Sequence, residues 1–235
     1  MIKAVLFDLW NTLVYSDLGE MERFEGEIVA HLRSFNPEVT AAHYRSLRKK
    51  YHVALTTGKL SPARAYERIV VELGVPKEAA GLVTGKVEES MRENMRVYPG
   101  VGSLLSTLHA LGLKLGLVTN CMEGTMTLVR SVGLDVFDSY GFSNEVGVRK
   151  PDPKIYVKVT GALNVQPEEC VFVSDEIFED LIGAHALGMK TIHVRQKQRC
   201  GIFDVNPDKR LMKPDASVDS IRGVEKIIRT WLHES

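Results

Sequence analysis

Ala4-Val5-Leu6-Phe7-Asp8-Leu9-Trp10-Asn11-Thr12-Leu13 is an apolar run of strand type that ends abruptly in an aspartate and then turns. A buried strand that delivers a carboxylate at its C-terminal end is the usual way an open α/β sheet presents a reactive group, because ligands sit in the crevice outside those strand ends. Taken alone, Asp8 reads equally well as a turn or N-cap residue. The rest of the chain decides between the two.

Working outward, the pattern after Leu13 turns helical for about eighty residues. Phe24, Ile28 and Leu32 share one face at i, i+4, i+8 spacing, and Asn36-Pro37 closes that helix. A second helix is expected from about Thr40 to Leu55. A third is capped by Ser61-Pro62 and carries Ala65, Ile69 and Leu73, and a fourth runs from about Lys77 to Met95. No strand is evident in this block. From Tyr98-Pro99-Gly100 onward strands alternate with helices. Strands are expected at 113–118, 138–142, 170–173 and 189–194, with helices at 101–111, 123–132, 153–163, 178–187 and 221–231. Residues 195–213 read as a loop with a short β segment at Gly201–Asp204. Such alternation predicts an α/β core, a mostly parallel sheet with helices on both faces, interrupted after its first strand by an all-α insertion.

Composition narrows the function. Thirty Lys and Arg balance thirty Asp and Glu in the 235 residues, so no basic field points to nucleic acid or an anionic membrane. No apolar run approaches the roughly 20 residues of a membrane span, and Met1-Ile2-Lys3 leads straight into a strand instead of a secretory leader. Cys121, Cys170 and Cys200 are odd in number and far apart, which suggests neither a disulfide framework nor a zinc site. A cytoplasmic setting is expected. Oligomeric state cannot be read from the pattern.

Three later stretches end at the same rim as Asp8. The strand 113–118 leads into Thr119-Asn120. Lys150 precedes the helix opened by Asp152-Pro153. The strand 170–173 leads into Ser174-Asp175-Glu176-Ile177-Phe178-Glu179-Asp180. Each has an innocent reading as a turn, a solvated lysine or a cap, but the four in this order form one constellation.

On these residues the chain resembles the haloacid dehalogenase superfamily. The resemblance covers about residues 1–14 and 96–232, and the helical insertion resembles the family's cap of the first type. It implies a Rossmann-like core at 1–14 and 96–235 and a helical cap at 15–95, hinged near 14–18 and 95–98. It further implies that Asp8 is the nucleophile, Thr119 and the backbone around Asn120 bind the phosphoryl oxygens, and Lys150 neutralises charge. Asp8, Asp175 and the backbone carbonyl of Trp10 would hold Mg²⁺, while Asp180 would orient the metal's water rather than bind the ion. The expected substrate is a small phosphate monoester, cleaved through an aspartyl-phosphate. A carboxylate is a competent nucleophile for that route, and hard oxygen donors suit Mg²⁺.

Trp10 departs from the pattern. The family's phosphatases resemble one another in a second aspartate two residues after the nucleophile, serving as general acid and base. Tryptophan cannot move that proton, a loss worth about 10²–10⁴-fold. An aromatic residue there, in contact with substrate, resembles the metal-independent 2-haloacid dehalogenases, whose halide leaving group needs no proton. The acid pair Asp175 and Asp180 keeps the phosphatase spacing instead. A catalytically impaired binding module on the same fold is the alternative of a different class, and a phosphonate-cleaving relative would require a cap lysine. Arg23, Arg45 and Tyr51 are candidates for selecting the substrate.

Overall fold

The computed structural model describes residues 1–196 and 212–234. The β segment expected at Gly201–Asp204 lies outside the described residues. Within them, six parallel strands form one sheet in the order β5-β4-β1-β6-β7-β8. The strands are β1 (Ala4–Phe7), β4 (Lys114–Thr119), β5 (Ser139–Phe142), β6 (Cys170–Ser174), β7 (Lys190–Val194) and β8 (Ala216–Val218). The first strand is central, in register Phe7 to Leu117 on one side and Phe7 to Val173 on the other. All four of its residues are buried, as a strand covered on both faces requires.

Alternation along β1 sorts its side chains to two layers. Val5 and Phe7 join Leu115, Leu117, Val171 and Val173 under α5 (Val101–Ala110) and α10 (Val224–His233). Ala4 and Leu6 face the other way with Phe172, against Ile155, Tyr156 and Val159 of α8 (Pro153–Ala162). The sequence reading placed these elements within a few residues. It missed β8, which is held by Asp215: its carboxylate accepts from the Thr191 amide at 2.8 Å and the Thr191 hydroxyl at 2.7 Å.

The chain leaves the sheet through β2 (Val14–Ser16) and returns through β3 (Met95–Val97), and the two pair as an antiparallel ribbon. Between them lie α1 (Leu18–Arg33), α2 (Ala41–Thr56), α3 (Pro62–Glu72) and α4 (Ala80–Asn94). Asp17, Thr40 and Ser61 accept hydrogen bonds from the first-turn amides of α1, α2 and α3. These helices bury their own cluster, including Ile28, Leu32, Tyr44, Leu47, Tyr66, Ile69 and Val83. No helix of the described residues is long and apolar enough to cross a membrane.

One glycine ties the insertion to the sheet. Gly58 follows α2 with φ +66°, and a Cβ there would lie 2.2 Å from the Asn144 carbonyl oxygen of the short helix α7 (Ser143–Val146). Beside it the Ser143 hydroxyl donates to the Thr56 carbonyl at 2.5 Å. Gly58→Ala is therefore expected to cost about 1–3 kcal/mol in urea unfolding, from backbone strain and the forced separation. Gly26, exposed within α1 with nothing near its missing Cβ, should respond to Ala by a gain of about 0.5–1 kcal/mol.

Candidate active site

The C-terminal ends of β1, β4 and β6 converge on one crevice. Asp8 follows β1, its amide donating to the Val173 carbonyl at 3.0 Å. The chain then turns sharply through Asn11, which holds a left-handed φ of 57° that asparagine tolerates. This turn brings Thr12 back over the strand end. The Thr12 hydroxyl lies 3.2 Å from Asp8 Oδ2 and 3.3 Å from Asp175 Oδ1, and it accepts the Asp175 amide at 3.0 Å. One hydroxyl thus bridges two buried carboxylates that come from different strands.

Lys150 enters from the loop before α8. Asn120 fixes that loop, since its Oδ1 accepts the Lys150 amide at 2.8 Å and its Nδ2 donates to the Lys150 carbonyl at 3.4 Å. The Asn120 side chain is thereby occupied, and only its backbone is left to meet a ligand. Lys150 Nζ lies 2.5 Å from Asp8 Oδ1 and 2.6 Å from Asp180 Oδ2, with 1% of its side chain exposed. Asp180 also accepts from the Ser174 hydroxyl at 2.6 Å.

Asp180 reaches Lys150 because the chain after β6 first winds as a wide π turn, Ile177–Leu181, before becoming α9 (Ile182–Ala186). The sequence reading expected an ordinary helix there. Gly183 permits the approach, for a Cβ would meet the Tyr156 hydroxyl at 2.7 Å and the Pro151 carbonyl at 2.9 Å. The Tyr156 hydroxyl donates to the Asp180 carbonyl at 2.7 Å.

Burial pushes the Asp8 carboxyl up to about 6, against the pull of Lys150 and with a further push from Asp180. Asp8 is therefore chiefly a carboxylate at neutral pH. Burial works to lower Lys150, but Asp180 and Asp8 outweigh it and the net direction is upward. Lys150 stays an ammonium. The Cys121 thiol, buried beside this site, is pushed up to about 11 by desolvation and remains protonated. The Thr119 hydroxyl is fully buried and has no hydrogen-bond partner among the described residues. A buried donor without a partner costs free energy unless a ligand satisfies it.

These groups open on a cavity of about 560 Å³ between the sheet and the insertion. Asp8, Trp10, Thr119, Asn120, Lys150, Asp175 and Asp180 all line it, so every site residue expected from the sequence is brought to one place. Glu176 and Glu179 stand at its margin, the first capping the Phe178 amide at 2.8 Å and the second 3.2 Å from Arg149. The insertion supplies the ceiling, and there the expectation fails. Arg23, Arg45 and Tyr51 bind Glu20, Glu25 and Glu72 and do not themselves line the cavity, although Glu25 does. Arg48, His52 and Tyr66 do. The signal was available: Arg48 falls four residues after Tyr44, on the buried stripe of α2, where a cation is out of place.

His52 carries a pH prediction. Burial, then Arg149 and Arg48, pull its pKa from 6.5 to about 4. A depressed pKa gives stability that is present above the unfolded value and is lost as pH falls toward the folded one. Urea midpoints measured from pH 7 to 4.5 should therefore fall faster for the wild type than for His52→Gln. Parallel curves would show that His52 is not desolvated.

Comparison with known proteins gives one consistent assignment. The family model for the haloacid dehalogenase-like hydrolases matches residues 2–188. A glyceraldehyde 3-phosphate phosphatase of Methanopyrus kandleri is 30% identical over 234 residues, covering 97% of this chain and 98% of its own. Among solved structures, a HAD phosphatase from Thermococcus onnurineus superposes with TM-score 0.65 at 22% identity, covering 97% of this chain and 98% of its own. A 2-haloacid dehalogenase from Pseudomonas syringae pv. Tomato superposes with TM-score 0.68 at 24% identity, covering 98% and 100%. At those identities the two structures speak for the fold alone.

Proposed function

The chain belongs to the haloacid dehalogenase-like hydrolases, and within that family we propose that it is a Mg²⁺-dependent phosphatase of small phosphate monoesters. The observation that carries this reading is the pairing of an ionised, buried Asp8 with the partnerless Thr119 hydroxyl in one cavity. A phosphoryl group set before Asp8 would give Thr119 the acceptor it lacks. The phosphatase name of the Methanopyrus kandleri relative supports the same substrate class.

In the proposed reaction an Asp8 carboxylate oxygen attacks phosphorus, the P–O ester bond breaks, and the leaving oxygen takes a proton from solvent. Water then attacks phosphorus, breaking the bond to Asp8 and releasing phosphate. Lys150 holds Asp8 in place and offsets charge that spreads onto the phosphoryl oxygens. Asp180 and Ser174 fix the Lys150 ammonium.

Asp8 and Asp175 fit a hard divalent cation. Both are oxygen donors, and both lie within hydrogen-bond reach of one Thr12 hydroxyl. Among the described residues no third carboxylate, histidine or cysteine converges with such a pair. Mg²⁺ commonly takes one or two carboxylates and completes its shell with backbone oxygen, water and phosphate. Asp8, Asp175 and the Trp10 carbonyl would hold it, with Asp180 acting on its water through hydrogen bonding. When bound, the ion would offset the negative charge of Asp8 and phosphate and act as a Lewis acid.

Residues 15–95 are read as a cap that closes over the cavity and excludes water, hinged at the β2–β3 ribbon. The buried free thiols of Cys121 and Cys170 support a cytoplasmic setting, and the balance of thirty basic against thirty acidic residues supports a small molecule rather than nucleic acid or membrane as partner.

Trp10 favours a second reading, metal-independent dehalogenation, because it lines the cavity where a proton donor would serve a phosphatase. The two are separated by assaying p-nitrophenyl phosphate and 2-chloropropionate with and without Mg²⁺. Phosphate release that requires Mg²⁺ is expected, with alkyl phosphates slower than aryl ones by about 10²-fold or more because Trp10 cannot protonate the leaving oxygen. Chloride release insensitive to a chelator would replace this reading with the second.

A further inference from the structure

The ceiling of the cavity carries a cation that the chemistry at Asp8 does not use. Arg48 projects from α2 into the cavity, with its Cζ 5.8 Å from the centre of the Tyr44 ring and the Tyr66 hydroxyl beside its guanidinium. It forms no ion pair with a carboxylate of the described residues. The acid whose charge reaches it is Glu25, and Glu25 is held by Arg45 at 2.6 and 2.8 Å. The cavity's other cations are matched. Lys150 sits between Asp8 and Asp180, and Arg149 pairs with Glu179.

A half-buried guanidinium without a counter-ion in a ligand cavity is costly unless the ligand supplies the charge. Its position fits that role. His52 is within electrostatic range of both Arg149, which precedes Lys150, and Arg48 in the ceiling. A polar strip therefore runs from the nucleophile's side up to Arg48, while Phe24, Ile28 and Met91 give the wall beside it an apolar surface.

We infer that Arg48 determines specificity, by binding a carboxylate at the end of the substrate remote from its phosphate. This rests on the phosphatase reading above for the phosphate end only. A guanidinium offers a carboxylate two parallel N–H donors. One cation with Glu25 nearby suits a singly charged carboxylate better than a second phosphate dianion. The apolar wall matches a hydrocarbon or aromatic body between the two groups. The substrate class is thus a carboxylate-bearing phosphate monoester.

The test uses 4-carboxyphenyl phosphate and its methyl ester, which differ in that one charge. Steady-state kinetics are measured for the wild type, Arg48→Lys and Arg48→Met, and binding of both esters to Asp8→Asn and to Asp8→Asn/Arg48→Met is measured by calorimetry. The wild type should prefer the acid by about 10- to 100-fold, expressed in KM more than in kcat, as a charge-assisted hydrogen bond predicts. The preference should collapse toward unity in Arg48→Met and be partly kept in Arg48→Lys. Should Arg48→Met fail to fold, the comparison of wild type with Arg48→Lys and the wild-type preference itself still decide. Hydrolysis of both esters without preference, or a preference that survives in Arg48→Met, would overturn the carboxylate site and leave the phosphatase reading standing. No hydrolysis of either ester, with Arg48-dependent binding of the acid retained, would overturn the phosphatase reading and keep the site. Neither hydrolysis nor selective binding would overturn both.

Discussion

Asp8→Asn should lower phosphate release by at least about 10⁴-fold, because a neutral amide oxygen is a poor nucleophile and, among the described residues, the neighbouring groups are protonated or engaged, Asp175 with the Thr12 hydroxyl at 3.3 Å. The thiol of Cys121 stays protonated at neutral pH. Glu176 and Glu179 are engaged with the Phe178 amide and with Arg149. The substitution preserves shape, and Lys150 keeps Asp180 at 2.6 Å as its counter-ion. The variant should therefore unfold within about 1 kcal/mol of the wild type, so that lost activity is lost chemistry and not lost fold. A rapid acid quench with ³²P-labelled substrate should trap labelled wild-type protein and leave Asp8→Asn unlabelled. Residual activity above about a tenth, or label retained by the variant, would move the nucleophile elsewhere and undo the mechanism. The measurement belongs with saturating Mg²⁺, since Asp8 is also a proposed metal ligand and weakened metal binding must be separated from weakened attack.

The core was legible in the sequence because each of its central strands is a run of buried apolar residues long enough to stand out. Ala4–Phe7, Lys114–Thr119 and Cys170–Ser174 each end beside a residue with a reactive side chain. That coincidence exposed the crevice. The elements missed share a different property. Val14–Ser16, Met95–Val97 and Ala216–Val218 have three residues each, too few to display an alternation. They exist because pairing across the chain holds them: Val14 with Val97, and Ile192 with Ala216. The π turn at Ile177–Leu181 was hidden for a related reason. An extra residue per turn leaves little trace in a five-residue pattern, and what sustains it is the tertiary grip of Lys150, Ser174 and Tyr156 on Asp180. Among the site residues, identity was readable and occupation was not. Asn120 stood in the expected place, yet its side chain serves the Lys150 loop. Arg48 stands on the buried stripe of α2, four residues after Tyr44, but a cation on a helix is ordinarily solvated, and the packing of four helices over the sheet is what sets it against the cavity.

Lys150→Met should be the most destabilising single change at this site, costing about 3–5 kcal/mol at pH 7–8. It leaves two buried carboxylates without the cation they share, and an uncompensated buried charge is far more costly than the intact pair is valuable. Asp8 and Asp180 have 8% and 5% of their side chains exposed, so water can do little to replace the ammonium. The control is Lys158→Met. Its pair with Glu145 spans 3.8 Å at 43% and 55% exposure, and its loss should change stability by no more than about 0.5 kcal/mol. The sign of the pH dependence follows from Asp8. Burial, partly opposed by Lys150, already holds its pKa up at about 6, and removing Lys150 takes away the pull that lowers it. A raised carboxyl pKa contributes stability at low pH that is lost as pH rises through the folded value. The gap between wild type and Lys150→Met, read from urea midpoints, should therefore narrow steadily from pH 8 to pH 5 as Asp8 protonates. A gap below about 1 kcal/mol, or one flat across that range, would mean that the cluster is solvated and that the raised Asp8 pKa has another origin. A large gap that closes in acid would show one ammonium doing two jobs. It would hold the turn after β6 against the end of β1, and it would keep Asp8, the proposed nucleophile, charged in a place that otherwise favours its neutral form.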